Sequence, residues 1–183
     1  MPRSTPKAAS SKLWVRCVAV IGVVLITLAW TGFLDAIADL PTGYGAAQSR
    51  DQTWLKAHAA DWSQFRVGTS HDVLRYVPGY LIFGLLLIGA VVFVRRRVAA
   101  GLIAPRDRLP TLVAISTLVI GAAADVVETL LFRRSLTRLI ETSGAADVST
   151  LTSITSAMTV IKWAGLGVSY LTLIVLMLLP PGD

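Results

Sequence analysis

Cysteine is almost missing from this chain: Cys17 is the only one. A single thiol excludes an intramolecular disulfide and a CxxC redox centre. Histidine is scarce too. His58 and His71 are the only two, and neither falls in an apolar run. That argues against a haem held by paired axial histidines inside a membrane bundle. Charge is also thin, at 15% Asp, Glu, Lys and Arg, against about 25% in soluble domains.

Apolar residues are plentiful, at 54%, where a soluble domain carries about 45–50% with glycine included. They are gathered into four runs, at 17–34, 77–94, 109–132 and 154–179. Each has 18 residues or more, enough to cross a hydrocarbon core of ~30 Å at ~1.5 Å per residue. Lipid offers no partner to unpaired backbone groups, so such runs are expected to be helices. The expected fold is all-α: an integral membrane four-helix antiparallel bundle with an amphipathic segment in the long first outer loop, 35–76. The length fits one domain. Residues 1–12 are polar and basic and read as a disordered cytoplasmic tail. Residues 13–179 read as the transmembrane domain.

The formal net charge of +6 does not point to nucleic acid, because the basic residues flank the apolar runs, where they set topology. Arg3, Lys7, Lys12 and Arg16 precede the first run, and Arg95, Arg96, Arg97, Arg106 and Arg108 lie between the second and third. These nine outnumber the seven in the other two connections: Arg50, Lys56, Arg66, Arg75, Arg133, Arg134 and Arg138. The bias favours an inner-membrane protein with both termini in the cytoplasm. The "AIA" at 36–38 resembles a signal-peptidase site. The apolar stretch before it exceeds the usual 7–15 residues of a signal peptide, which favours a retained span.

In the first outer connection, "SRDQTWLKAHAADWSQF" places Trp54, Leu55, His58, Trp62 and Phe65 near one helical face. Ser49 or Asp51 is suited to cap it, since their side chains accept early backbone N–H bonds. Such a segment either lies in the membrane interface or packs over the bundle mouth. In the third connection, "RRSLTRLIETSGAADVS" reads as a continuation of the third helix, with Gly144 as its stop, because glycine takes the left-handed conformation after a helix.

The chemistry concentrates in "GAAADVVETLLFRR", 121–134. Asp125 and Glu128 are three residues apart and share a helix face. Gly121 and Ala122 near that face allow a neighbouring helix to approach. "GAAA" with Gly165 and Gly167 is read as packing within one chain rather than between copies. An ionised carboxylate near mid-membrane costs about 2.5–3.5 kcal/mol on insertion scales, so it needs a partner or a proton. Asp125 is seven residues before Phe132, about 10 Å below the outer end of its helix. Lys162 is eight residues after Ile154, about 12 Å below the same side. Consecutive antiparallel helices are usually neighbours, so an Asp125–Lys162 ion pair is expected, with Glu128 nearer the outer surface. At the head of the second span, "HDVLRY" puts Asp72, Arg75 and Tyr76 at i, i+3 and i+4, with Arg75 a partner for Glu128.

The order of an Asp–Tyr motif (Asp72, Tyr76), a DxxE motif (Asp125, Glu128) and a "KW" motif (Lys162, Trp163) resembles a group of uncharacterised bacterial four-helix membrane proteins. In those the third-helix motif usually reads DxxEN, and Thr129 stands here in place of the Asn. The resemblance implies one shared charged cluster and no established activity.

The cluster Asp125, Glu128, Lys162, Asp72, Arg75 and Tyr76 is therefore the expected site, as a binding or a structural charge group. No nucleophile–base arrangement is recognisable, so no catalytic residue is assigned. A metal held by His71, Asp72, Asp125 and Glu128 matches no ligand spacing and is opposed by Lys162; no cofactor is expected. The expected function is non-enzymatic: binding a lipid or small amphiphile, or serving as a membrane partner subunit. The expected partners are membrane lipid and a membrane protein or a second copy, not nucleic acid. A small transporter or proton- or ion-coupled protein stands second, and an enzyme using the carboxylates as acid and base stands third.

Overall fold

The computed structural model describes residues 6–98 and 105–179. Four of its helical stretches are long and apolar enough to cross a membrane: Arg16–Ala38, Ala59–Arg95, Asp107–Glu141 and Ser149–Leu178. All regular structure among the described residues is helical. The expected all-α four-helix bundle is the architecture found.

The first span belongs to α1 (Pro6–Ala38). This helix extends back into the segment expected to be an irregular tail; residues 1–5 of that tail lie outside the described residues. Two short helices follow, α2 (Tyr44–Gln48) and α3 (Gln52–Ala57). Asp51 caps α3, its side chain accepting from the Trp54 backbone N–H at 2.9 Å. After a 3-10 turn at Ala59–Asp61, α4 (Trp62–His71) runs through a π-helical turn at Asp72–Tyr76 into α5 (Val77–Val98). The continuous helical path that carries the second apolar run thus starts well before residue 77. The last two helices are α6 (Pro105–Glu141) and α7 (Ser149–Leu178).

α6 continues well past the apolar run that ends at Phe132. It closes in a left-handed turn at Ser143 (φ 49°) and Gly144 (φ 86°), and Gly144 N–H reaches back to Leu139 O at 2.8 Å. The expected stop at Gly144 is in place, with the left-handed turn starting one residue earlier.

α6 and α7 form the most extensive helix pair, α5 packs on α6, and α1 packs on α5 and α7. Neighbours are antiparallel: Arg16 at the start of the first span donates to Leu178 O at the end of α7, at 3.1 Å. The α6–α7 crossing is close because of two glycines. A Cβ on Gly165 would sit 2.7 Å from Thr117 O and 3.0 Å from Gly121 Cα, and one on Gly121 would sit 3.1 Å from Lys162 O. Both are therefore used within the chain, whereas Gly167 faces open space. Ser169 adds a bond across the same pair, donating to Ala114 O at 2.9 Å.

One buried apolar cluster, built on Ile88, Val91, Ala114, Leu118, Leu173 and Leu176, fills the end of the bundle near Arg95. The other lies at the opposite end, where Tyr44, Leu55, Trp62 and Phe65 from the first connection cover Phe132, Leu136 and Leu139 of α6. We call this the cap end. The Trp-rich segment is thus a folded cap and not one continuous amphipathic helix: a turn at His58 separates α3 from α4. Trp62 Nε1–H donates back to Leu55 O at 2.7 Å, which satisfies the indole inside the cap.

Candidate functional site

The π-helical turn ahead of α5 meets α6 below the cap, and α6 meets α7, which brings three carboxylates inward. Asp72, Asp125 and Glu128 are 3%, 2% and 1% exposed. Asp125 and Glu128 lie on the face of α6 turned to α7, where the glycine crossing one turn away holds the helices together. Lys162 of α7 meets both: its Nζ is 2.9 Å from Asp125 Oδ1 and 2.8 Å from Glu128 Oε2. The approach to Glu128 Oε2 is off the hydrogen-bonding direction, which leaves that oxygen in charge contact without a directed donor. Lys162 also lies 5.6 Å from the centre of the Trp163 ring, within the range of a cation–π contact.

Two hydroxyls complete this group. Tyr80 of α5 donates to Asp125 Oδ2 at 2.9 Å, and Thr159 of α7 donates to Glu128 Oε1 at 2.7 Å. The result is an unbroken chain of contacts, Tyr80–Asp125–Lys162–Glu128–Thr159. Charge-assisted bonds of this kind are roughly twice as strong as neutral ones. They offset the desolvation of the buried ions only in part.

Asp72 heads a second group one turn toward the cap. It sits in the π-helical turn, a local widening of the helix often found at functional sites. Its Oδ2 accepts from Thr129 Oγ1 at 2.7 Å, from Tyr44 OH at 3.2 Å and from Gln48 Nε2 at 3.2 Å. Gln48 also reaches Thr129 Oγ1 and Tyr44 OH, each at 3.2 Å. Thr129 is therefore the link between α6 and Asp72. Burial, and then the neighbouring Asp72 charge, push the Tyr44 phenol well above its ordinary range. Tyr44 is thus held protonated as a donor.

Of the six expected site residues, Asp125, Glu128 and Lys162 meet directly. Tyr76 packs edge-on against Tyr80, ring centres 5.8 Å apart, beside the group. Arg75 does not pair with Glu128. It is exposed and donates to Ile37 O at 3.3 Å, at the end of α1. The expectation assumed α-helical spacing from Asp72. The π turn adds a residue there and swings Arg75 off the face that carries Asp72. His71 is turned toward the α1–α2 connection, its Nδ1 3.3 Å from Asp39 O. Among the described residues, no group of three or more His, Cys, Asp or Glu side chains is arranged to hold a metal ion.

Sequence reasoning missed Tyr44 and Gln48. Their one signal is an i, i+4 aromatic–amide pair in a glycine-flanked stretch of loop. It also read Arg95 only as a topology charge. Arg95 makes a bidentate pair with Asp107 at 2.7 and 2.8 Å and donates to Leu176 O and Leu179 O at the end of α7, where a cation suits the helix dipole.

No protein-family model, curated protein or solved structure matches this chain.

Proposed function

We propose that this chain is a multi-pass inner-membrane protein with both termini in the cytoplasm. Its acidic cluster binds a small amphiphile carrying a cationic head group, without catalysing a reaction. The observation that carries this reading is a charge imbalance. Asp72, Asp125 and Glu128 are all buried, and Lys162 makes the only salt bridges to them among the described residues. Buried charge without compensation is strongly unfavourable, so the group calls for positive charge, as a bound cation or as a proton. An amine on an apolar chain supplies that charge and matches the apolar surroundings. The shared cluster implied by Asp72, the DxxE pair and Lys162–Trp163 fits the same reading.

Native mass spectrometry of protein extracted in mild detergent tests it. An amine-bearing adduct is expected on the wild type and absent from Asp72→Asn, which keeps the side-chain shape and removes one negative charge. Wild type and Asp72→Asn carrying the same adducts would overturn the proposal.

A second reading, proton or ion coupling, is favoured by one specific feature: the continuous Tyr80–Asp125–Lys162–Glu128–Thr159 chain of exchangeable groups. Protons would then supply the missing positive charge. A proton flux in proteoliposomes that disappears in Asp125→Asn would support this reading. A flux unchanged by that substitution would remove it.

A further inference from the structure

A separate site lies on the outer wall of the bundle, in the seam between α4 and α6. These helices pack side by side through Phe65 and Phe132, whose ring centres are 6.4 Å apart. Just outside those rings, Arg133 Nη1 donates to Ser70 Oγ at 3.2 Å. Arg66 is four residues before Ser70, so it lies on the same face of α4, one turn toward the cap. Both arginines are exposed. Among the described residues neither has a carboxylate within salt-bridge distance. One bond to a serine leaves most of the five guanidinium donors of Arg133 unspent, and the Ser70 hydroxyl still has a proton to give. Two guanidinium groups and a hydroxyl on facing helix walls suit a phosphate group, whose oxygens accept bidentate bonds from arginine.

The level of the pair in the fold decides the source of that phosphate. Arg133 is the first charged residue after the apolar run that ends at Phe132. One turn farther into the apolar belt, Leu130 and Leu74 are 53% and 73% exposed. An anionic head at the arginines therefore has its chains resting on exposed apolar side chains. We infer that the α4–α6 seam binds the phosphate of an anionic phospholipid through Arg66, Arg133 and Ser70. This site is independent of the acidic cluster, both in position and in the sign of its charge.

The test is native mass spectrometry of the full chain, titrated with phosphatidylglycerol, with phosphatidylcholine and with inorganic phosphate. Arg134 is the control. It is exposed too, but at 3.6 residues per turn it points about 100° away from Arg133. The wild type is expected to prefer phosphatidylglycerol over phosphatidylcholine. Arg66→Gln and Arg133→Gln are each expected to lower that preference about fivefold, the order of magnitude for one basic side chain at an anionic lipid surface. Arg134→Gln is expected to keep it. The ratio is read on folded, monodisperse protein, so a loss of yield does not mimic the effect. Equal retention of the two lipids by wild type would overturn the inference. So would an Arg134→Gln effect as large as that of Arg133→Gln, or displacement of phosphatidylglycerol by inorganic phosphate.

Discussion

Lys162 lies 2.9 Å from Asp125 and 2.8 Å from Glu128, so a single ammonium on α7 bridges two carboxylates one turn apart on α6. The bridge fixes the register of α6 against α7 at the level where Gly121 and Gly165 bring their backbones together. It also makes the three charges one unit for mutagenesis. Lys162→Met leaves two buried carboxylates with no cation. Breaking a buried pair in this way costs about 3–5 kcal/mol, and the yield of monodisperse protein in detergent should collapse. Adding Asp125→Asn should restore it only partly, because the Glu128 carboxylate still lacks a cation. The triple variant with Glu128→Gln should recover most of it. Full recovery in the double variant would show that Glu128 does not share the lysine.

The glycine crossing can be tested independently of charge. Gly165→Ala places a methyl group against backbone, 2.7 Å from Thr117 O, and backbone cannot move aside as a flexible side chain can. Overpacking of this kind costs about 1–3 kcal/mol. Gly167→Ala meets nothing within 4 Å and should leave the melting temperature in detergent unchanged or slightly raised. Equal effects from the two substitutions would contradict the described crossing.

The cap is tied to the bundle through Asp72. Tyr44→Phe keeps the ring packed between Phe65 and Phe132 and deletes the hydroxyl that donates to Asp72 and accepts from Gln48, at about 0.5–1.5 kcal/mol for each bond. Because the Tyr44 phenol is raised, its contribution is fully present below the ordinary tyrosine range and is lost as pH rises above it. Wild-type protein should therefore lose its stability advantage over Tyr44→Phe only in strong alkali, as followed by thermal unfolding against pH. An advantage that vanishes near neutral pH would rule out this role.

At the start of α7, Asp147 accepts from the Ser149 backbone N–H at 2.9 Å, and that bond holds its carboxyl below the usual range. A depressed folded value means the contribution is present above the ordinary carboxylate range and is lost as pH falls through the folded value. Hydrogen exchange at the first turn of α7 should therefore speed up in acid and in Asp147→Ala at neutral pH. No difference between Asp147→Ala and wild type at neutral pH would remove this role of Asp147.

The four long apolar helices and the Asp125–Lys162 contact were legible because both rest on simple geometry: run length against bilayer thickness, and depth counted from run ends in antiparallel neighbours. The Glu128 share of the lysine was less so, since i and i+3 carboxylates reach one partner only when the facing helix is very close, which depends on the glycine pair. Asp72 was expected in the charged cluster, but its hydrogen-bond partners were not legible. Tyr44 and Gln48 sit in a five-residue helix with no periodic signal, and the π turn that redirects Arg75 leaves no mark in the hydropathy pattern. The Arg95–Asp107 pair was hidden by its surroundings, where every basic residue already had a reading as a topology determinant.

The buried carboxylates outnumber their cation, and the proposed function has an amphiphile supply the positive charge. Its most direct test is the melting temperature of purified protein with dodecylamine against dodecanol, in wild type and in Asp72→Asn. The amine is expected to stabilise wild type more than the alcohol does, and this difference to shrink sharply in Asp72→Asn. If amine and alcohol act alike on wild type, the cluster does not recognise a cationic head group and the proposed function is wrong.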